Sequence, residues 1–103
     1  MADFVDVGSA DEIPKGKMKA VKVNNVRIVV INSDDGFYAV ADECSHDYAP
    51  ISSGWVRQGE VICPRHGARF DVRTGEVKSP PAVAGIDTYP TKVENGRILV
   101  QAD

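Results

Sequence analysis

Cys44, His46, Cys63 and His66 account for every cysteine and every histidine in the chain. They fall into two short motifs, Cys44-Ser45-His46 and Cys63-Pro64-Arg65-His66, with sixteen residues between His46 and Cys63. Thiolate sulfur and imidazole nitrogen are soft to borderline donors, so four of them split evenly between two motifs can furnish one metal centre. An iron-sulfur centre and a tetrahedral structural zinc both draw on such a set, although zinc sites usually open with C-x2-4-C rather than C-x-H. A Cys44-Cys63 disulfide would use the thiols alone. It belongs to oxidising compartments, and Met1-Ala2-Asp3-Phe4-Val5-Asp6-Val7 shows neither a positive leader nor an apolar h-region. Chance pairing would need four unrelated residues to fall at this spacing with none left over.

The order C-x-H, sixteen residues, C-x2-H resembles the signature of Rieske iron-sulfur proteins, in which two histidines replace two cysteines on one iron of a [2Fe-2S] cluster. The resemblance implies one such cluster, with Cys44 and Cys63 on the inner iron and His46 and His66 on the outer one. Neutral imidazoles add no negative charge, so the histidine-ligated iron is expected to take the electron. Respiratory and photosynthetic members carry an extra cysteine in each ligand loop, joined as a disulfide; the matching positions here are Ala49 and Arg65. High-potential members also place serine and tyrosine hydroxyls against the cluster sulfide and a ligand sulfur, where this chain has Ala68 and Phe70. With both donors missing, the potential is expected on the order of -150 mV, well below the roughly +300 mV at the top of the Rieske range.

Rieske oxygenases add a mononuclear iron held by two histidines and a carboxylate. No further histidine exists here, and no Gly-rich dinucleotide fingerprint is present, so the chain is expected to carry electrons and not to be an enzyme. The resemblance is closest to the soluble ferredoxin components of bacterial aromatic-ring-hydroxylating dioxygenases and runs over essentially the whole chain. Arg73-Thr74-Gly75-Glu76-Val77 and Lys78-Ser79-Pro80-Pro81 look like that group's turn and proline-containing cover loop; Pro80-Pro81 alone also reads as a plain surface loop. The resemblance implies a flavin-dependent ferredoxin reductase as electron donor and a terminal Rieske non-haem iron oxygenase as acceptor. Other readings stay open: the small subunit of an assimilatory nitrite reductase, which shares the fold but often lacks the ligands, a carrier in another iron-sulfur pathway, or a structural zinc module.

The elements that must hold these motifs are short β-branched runs broken by turn residues, as an all-β domain requires. Val21-Lys22-Val23 and Val26 to Val30 flank Asn24-Asn25, a two-residue hairpin; Asp34-Asp35-Gly36 turns into Phe37 to Ala41. Tyr89 to Glu94 and Arg97 to Gln101 flank Asn95-Gly96, and the two termini are expected to meet in one sheet. Val61-Ile62 enters the second motif and Ala68 to Val72 leaves it, which puts Cys63 and His66 on a loop between strands. Asp11-Glu12-Ile13-Pro14 reads as the start of one helical turn. The expected architecture is the Rieske fold, an antiparallel β base with a small cluster-binding subdomain formed by the two ligand loops. Residues 1–103 make a single domain, with the cluster-binding part at about 42–82 and the base from 1–41 and 83–103.

A net charge of -3 without a basic block argues against nucleic acid. The longest aliphatic run, Ile28-Val29-Val30-Ile31, falls far short of the ~20 residues that span a bilayer. A cytoplasmic monomer is expected, with a core small enough that the apo form is loose. If both ligand histidines reach the surface, as in the family, Asp47, Tyr48, Arg65, Pro80 and Pro81 rim the docking face. Trp55 is expected to pack the loop joining the motifs, with an exposed docking aromatic as the alternative. Gly54 and Gly67 are expected to allow tight turns that free amides for cluster sulfurs.

Overall fold

The computed structural model describes residues 3–33, 35–43, 50–64, 67–79 and 85–102. Their strands are β1 (Phe4–Ser9), β2 (Met18–Val23), β3 (Val26–Ser33), β4 (Gly36–Ala41), β5 (Trp55–Arg57), β6 (Glu60–Ile62), β7 (Arg69–Asp71), β8 (Val77–Ser79), β9 (Thr88–Tyr89), β10 (Thr91–Glu94) and β11 (Arg97–Gln101). All pairings are antiparallel and form three sheets, in the orders β1-β11-β10, β2-β3-β4-β9 and β5-β6-β7-β8.

Turn chemistry sets the register. Asn24 and Asn25 stand at φ 50° and 68°, the left-handed pair of a two-residue hairpin that Asn tolerates, and they put Val23 opposite Val26. Asn95 and Gly96, at 52° and 76°, do the same between β10 and β11. β1 pairs with β11, so the two ends of the chain share a sheet as expected.

The middle sheet is covered on both faces. Ile28 and Val30 of β3 enter one core with Ile98 and Val100 of β11, while Val29 and Ile31 enter another with Val61 of β6 and Phe70 of β7. All four aliphatic residues of this run are 0% exposed, which is why β3 reads as an unbroken apolar run instead of alternating. At about 1.5–3 kcal/mol for each fully buried Val or Ile side chain, β3 is the main anchor of the whole stack.

Pro90 divides the stretch expected to run unbroken from Tyr89 to Glu94. Lacking an N–H, it cannot continue a ladder, so Tyr89 pairs with Ala39 of β4 while Thr91 pairs with Val100 of β11. Ala68 and Val72 fall just outside β7. A 3-10 turn is found at Ala10–Glu12, slightly before the stretch expected, because Ser9 caps it: its Oγ accepts from the Asp11 amide at 3.2 Å while Glu12 Oε1 accepts from the Ser9 amide at 2.7 Å. Strands β5 and β8 were not anticipated; Trp55 lies on β5, not in a loop. Among the described residues no helix is long and apolar enough to cross a membrane.

Candidate metal centre

Strand β6 delivers Cys63, and β7 begins just after Ala68. The Cys63 amide donates to the Ala68 carbonyl at 2.8 Å and the Gly67 amide donates to the Cys63 carbonyl at 3.1 Å, with Gly67 at φ 75°. The loop is therefore closed at its base by backbone bonds, and glycine adopts that φ with no Cβ penalty. Cys63 is a free thiol, 1% exposed, in one core with Ile51, Ala68 and Phe70. The other three candidate ligands, Cys44, His46 and His66, lie outside the described residues, as do Ala49, Arg65 and the rim candidates Asp47, Tyr48, Pro80 and Pro81.

The ends of the first ligand loop are described, and they are joined. Asp42, at the end of β4, is 4% exposed. Its carboxylate accepts from the Ser52 amide and from the Ser52 hydroxyl, each at 2.7 Å. Ser52 belongs to the 3-10 turn Ile51–Ser53, whose Ile51 is 0% exposed and packs in the core that holds Cys63. Both ligand loops thus emerge from the same apolar core.

A third loop is pinned in the same region of sequence. A Cβ on Gly75 would lie 1.9 Å from the Ile86 carbonyl oxygen, and one on Gly85 would lie 2.5 Å from the Gly75 carbonyl oxygen. The Ile86 amide donates to that Gly75 oxygen at 2.8 Å. Two glycines let backbone meet backbone and hold together the flanks of the segment that contains Pro80 and Pro81.

Gly67 makes the tight turn expected of it, while the glycines' own amides are engaged within the protein, that of Gly54 donating to the Ile51 carbonyl and that of Gly67 to the Cys63 carbonyl. Gly54 is instead required for space: a Cβ there would sit 1.9 Å from the Ile62 carbonyl oxygen and 3.1 Å from Pro64 Cδ. Trp55 does not pack the loop; it is 58% exposed. Its register partner is Ile62, whose own partner on β7 is Arg69, so all three lie on the outer face of this sheet, while Val56, Val61 and Phe70 face the core. Trp55, Lys17 and Met18 line a groove of about 330 Å³ with Gly54 and Val56. Sequence reasoning missed the Asp42–Ser52 pair, since an acid and a serine ten residues apart across a loop leave no periodic signal.

The described part of the site suits a sulfur-bridged iron centre. It supplies a buried thiol, an apolar surround that keeps the dielectric low, and a loop on which the direction of a Cβ at Gly67 meets nothing within 4 Å. Three stacked antiparallel sheets, with a thiol-bearing loop between β6 and β7 of the sheet β5-β6-β7-β8, define a cluster-binding β module. Residues 3–90 match the Rieske [2Fe-2S] domain, and the chain belongs to that family. Its cofactor is accordingly a [2Fe-2S] cluster of the Rieske type. The chain is 36% identical over 101 residues to the ferredoxin component of the naphthalene 1,2-dioxygenase/salicylate 5-hydroxylase systems of Ralstonia sp., covering 98% of this chain and 97% of that one. The solved ferredoxin of carbazole 1,9a-dioxygenase from Nocardioides aromaticivorans IC177 superposes with a TM-score of 0.90 at 33% identity, over 94% of this chain and 95% of that chain. A ferredoxin solved in the complex of reduced oxygenase and oxidised ferredoxin in carbazole 1,9a-dioxygenase gives 0.89 at 29% identity, over 95% and 92%.

Proposed function

We propose that this chain is a low-potential one-electron carrier of a multicomponent aromatic-ring dioxygenase system. It takes electrons from a flavin-dependent NAD(P)H reductase and delivers them to a terminal non-haem iron oxygenase. The observation that carries this reading is the end-to-end correspondence with a ferredoxin component, 98% of this chain against 97% of the relative. The chain is a component of the oxygenase system and is not itself an enzyme.

In this reading Cys44 and Cys63 hold the inner iron, and His46 and His66 the outer one. The bound cluster supplies reversible one-electron chemistry, and the chain's residues set how readily it proceeds. Cys63 is held in place by the backbone bonds to Ala68 and Gly67. Ala68 and Phe70, both 0% exposed in the core of Cys63, offer no hydroxyl to a cluster sulfur, which keeps the potential low. The cluster-binding part spans about 42–82 and the base 1–41 and 83–103, a division supported by β5 to β8 forming a sheet of their own. The carrier works as a monomer in the cytoplasm, where a reducing environment keeps both cysteines available as ligands instead of joining them in a disulfide.

The test is low-temperature EPR of dithionite-reduced protein purified anaerobically, with iron, sulfide and zinc measured on the same sample. A rhombic signal with iron and sulfide in equal amounts is expected, and His46→Ala or His66→Ala should abolish it. A silent spectrum with one zinc per chain would end the carrier reading, and an unchanged signal in either histidine variant would end the ligand assignment.

A further inference from the structure

We infer that Asp42 is a positioning residue of the cluster site with two separable effects: its carboxylate closes the first ligand loop, and its charge makes the cluster harder to reduce. The inference rests on the cluster-carrier reading above.

The closing effect follows from the hydrogen bonds. Asp42 and Ser52 stand on either side of segment 43–51, which contains Cys44 and His46, and join its two ends. Both carboxylate oxygens are engaged, one by the Ser52 amide and one by its hydroxyl, at 2.7 Å each. The Asp42 amide donates in turn to the Arg27 carbonyl at 3.0 Å, which ties the staple to β3. A loop whose ends are fixed loses less entropy when its ligands close on a metal.

The charge effect follows from burial. Asp42 is 4% exposed, and among the described residues no cation pairs with its carboxylate; Arg27 Nη2 reaches its backbone carbonyl instead, at 3.4 Å. Two peptide units, at most roughly 7 Å, separate the Cα atoms of Asp42 and Cys44, so with both side chains added the carboxylate lies within about 15 Å of a metal held by Cys44. Reduction adds a negative charge to the cluster, and a buried negative charge within that range opposes it, offset in part by the Arg27 guanidinium at the Asp42 carbonyl. The expected size is roughly a tenfold bias against the reduced form, which for one electron is about 59 mV.

The isosteric variant separates the two effects. Asp42→Asn keeps an acceptor for the Ser52 amide and offers an NH2 to the Ser52 hydroxyl, which can rotate to accept; it removes the charge alone. Ser52→Ala removes one bond of the staple and leaves the charge. Voltammetry of the holoproteins should show the potential of Asp42→Asn raised by about the tenfold equivalent, with that of Ser52→Ala near wild type. Iron release to a chelator should be faster for Ser52→Ala than for wild type and near wild type for Asp42→Asn. An unchanged potential in Asp42→Asn, or an equal rise in both variants, would overturn the charge effect. Wild-type iron release in Ser52→Ala would overturn the closing effect. Absence of the rhombic signal from the wild-type protein would instead count against the carrier reading itself.

Discussion

Gly54 and Gly59 flank β5, and alanine at each should act through a different physical cost. At Gly59 the backbone sits at φ 78° with nothing within 4 Å of the added Cβ, so alanine there meets only the left-handed penalty, about 1–2 kcal/mol. At Gly54 φ is -97°, outside the left-handed region, but the Cβ would lie 1.9 Å from the Ile62 carbonyl oxygen, where real Cβ contacts essentially never fall below 3.0 Å. Both obstacles there are poor at yielding, because one is the backbone of β6 and the other is Pro64 Cδ at 3.1 Å. The strands must part by roughly 1 Å, which combines overpacking of about 1–3 kcal/mol with loss of about one ladder hydrogen bond worth ~1 kcal/mol. Gly54→Ala should therefore cost about 2–4 kcal/mol, a large share of the 5–15 kcal/mol typical of a domain. The carbonyl that must move belongs to the residue before Cys63, so the damage should reach the cluster. Thermal unfolding followed in parallel by far-UV circular dichroism and by visible cluster absorbance is the assay. Gly54→Ala should bleach before it unfolds, whereas Gly59→Ala should lose both signals together and at a higher temperature. Equal destabilisation of the two variants, or a Gly54→Ala protein within about 0.5 kcal/mol of wild type, would refute the steric argument.

Other consequences are open to equally direct measurement. Introducing Ala68→Ser with Phe70→Tyr should raise the potential by roughly 60 mV for each hydroxyl that reaches a sulfur, and voltammetry showing no rise would disprove the account of the low potential. Asp6 is held below its ordinary pKa of 3.8, first by the side-chain hydrogen bond from Arg97, and Glu12 below 4.5, first by the Ser9 amide. Both contributions are complete above those ordinary values and are lost as the pH falls through the lower folded values. Asp6→Asn with Glu12→Gln should thus flatten the acid limb of a stability–pH curve, and a limb as steep as that of wild type would show that other groups govern it. Trp55 is the sole tryptophan and is 58% exposed, so its emission should be quenched efficiently by acrylamide in the apo form; strong protection would contradict its outward placement.

What the sequence disclosed, and what it did not, divides along a physical line. Asn24-Asn25 and Asn95-Gly96 were legible because a two-residue hairpin demands positive φ at both positions, and few residues accept it. The aliphatic run of β3 was legible as a strand, though not as one covered on both faces, since that depends on which sheets stack against it. Strands of three residues such as β5 and β8 carry too little pattern to read. In β5 either Trp55 or Val56 could have faced inward, and only pairing with Ile62 and Val61 decides it. At the candidate site the ligand types and spacing were plain, whereas the Asp42–Ser52 staple, the Gly75–Gly85 contact and the crowding at Gly54 arise between segments distant in sequence.

The burial of β3 on both faces bears on how this carrier survives losing its cofactor. Ile28 and Val30 serve one core while Val29 and Ile31 serve the other, so the strand acts as a party wall between a half that contains Cys63 and a half that does not. Emptying the site removes support from one room only. Amide hydrogen exchange should accordingly quicken in β6 and β7 on demetallation while β2, β3 and β11 stay slow, leaving a persistent template on which a fresh cluster can be installed without refolding the whole chain.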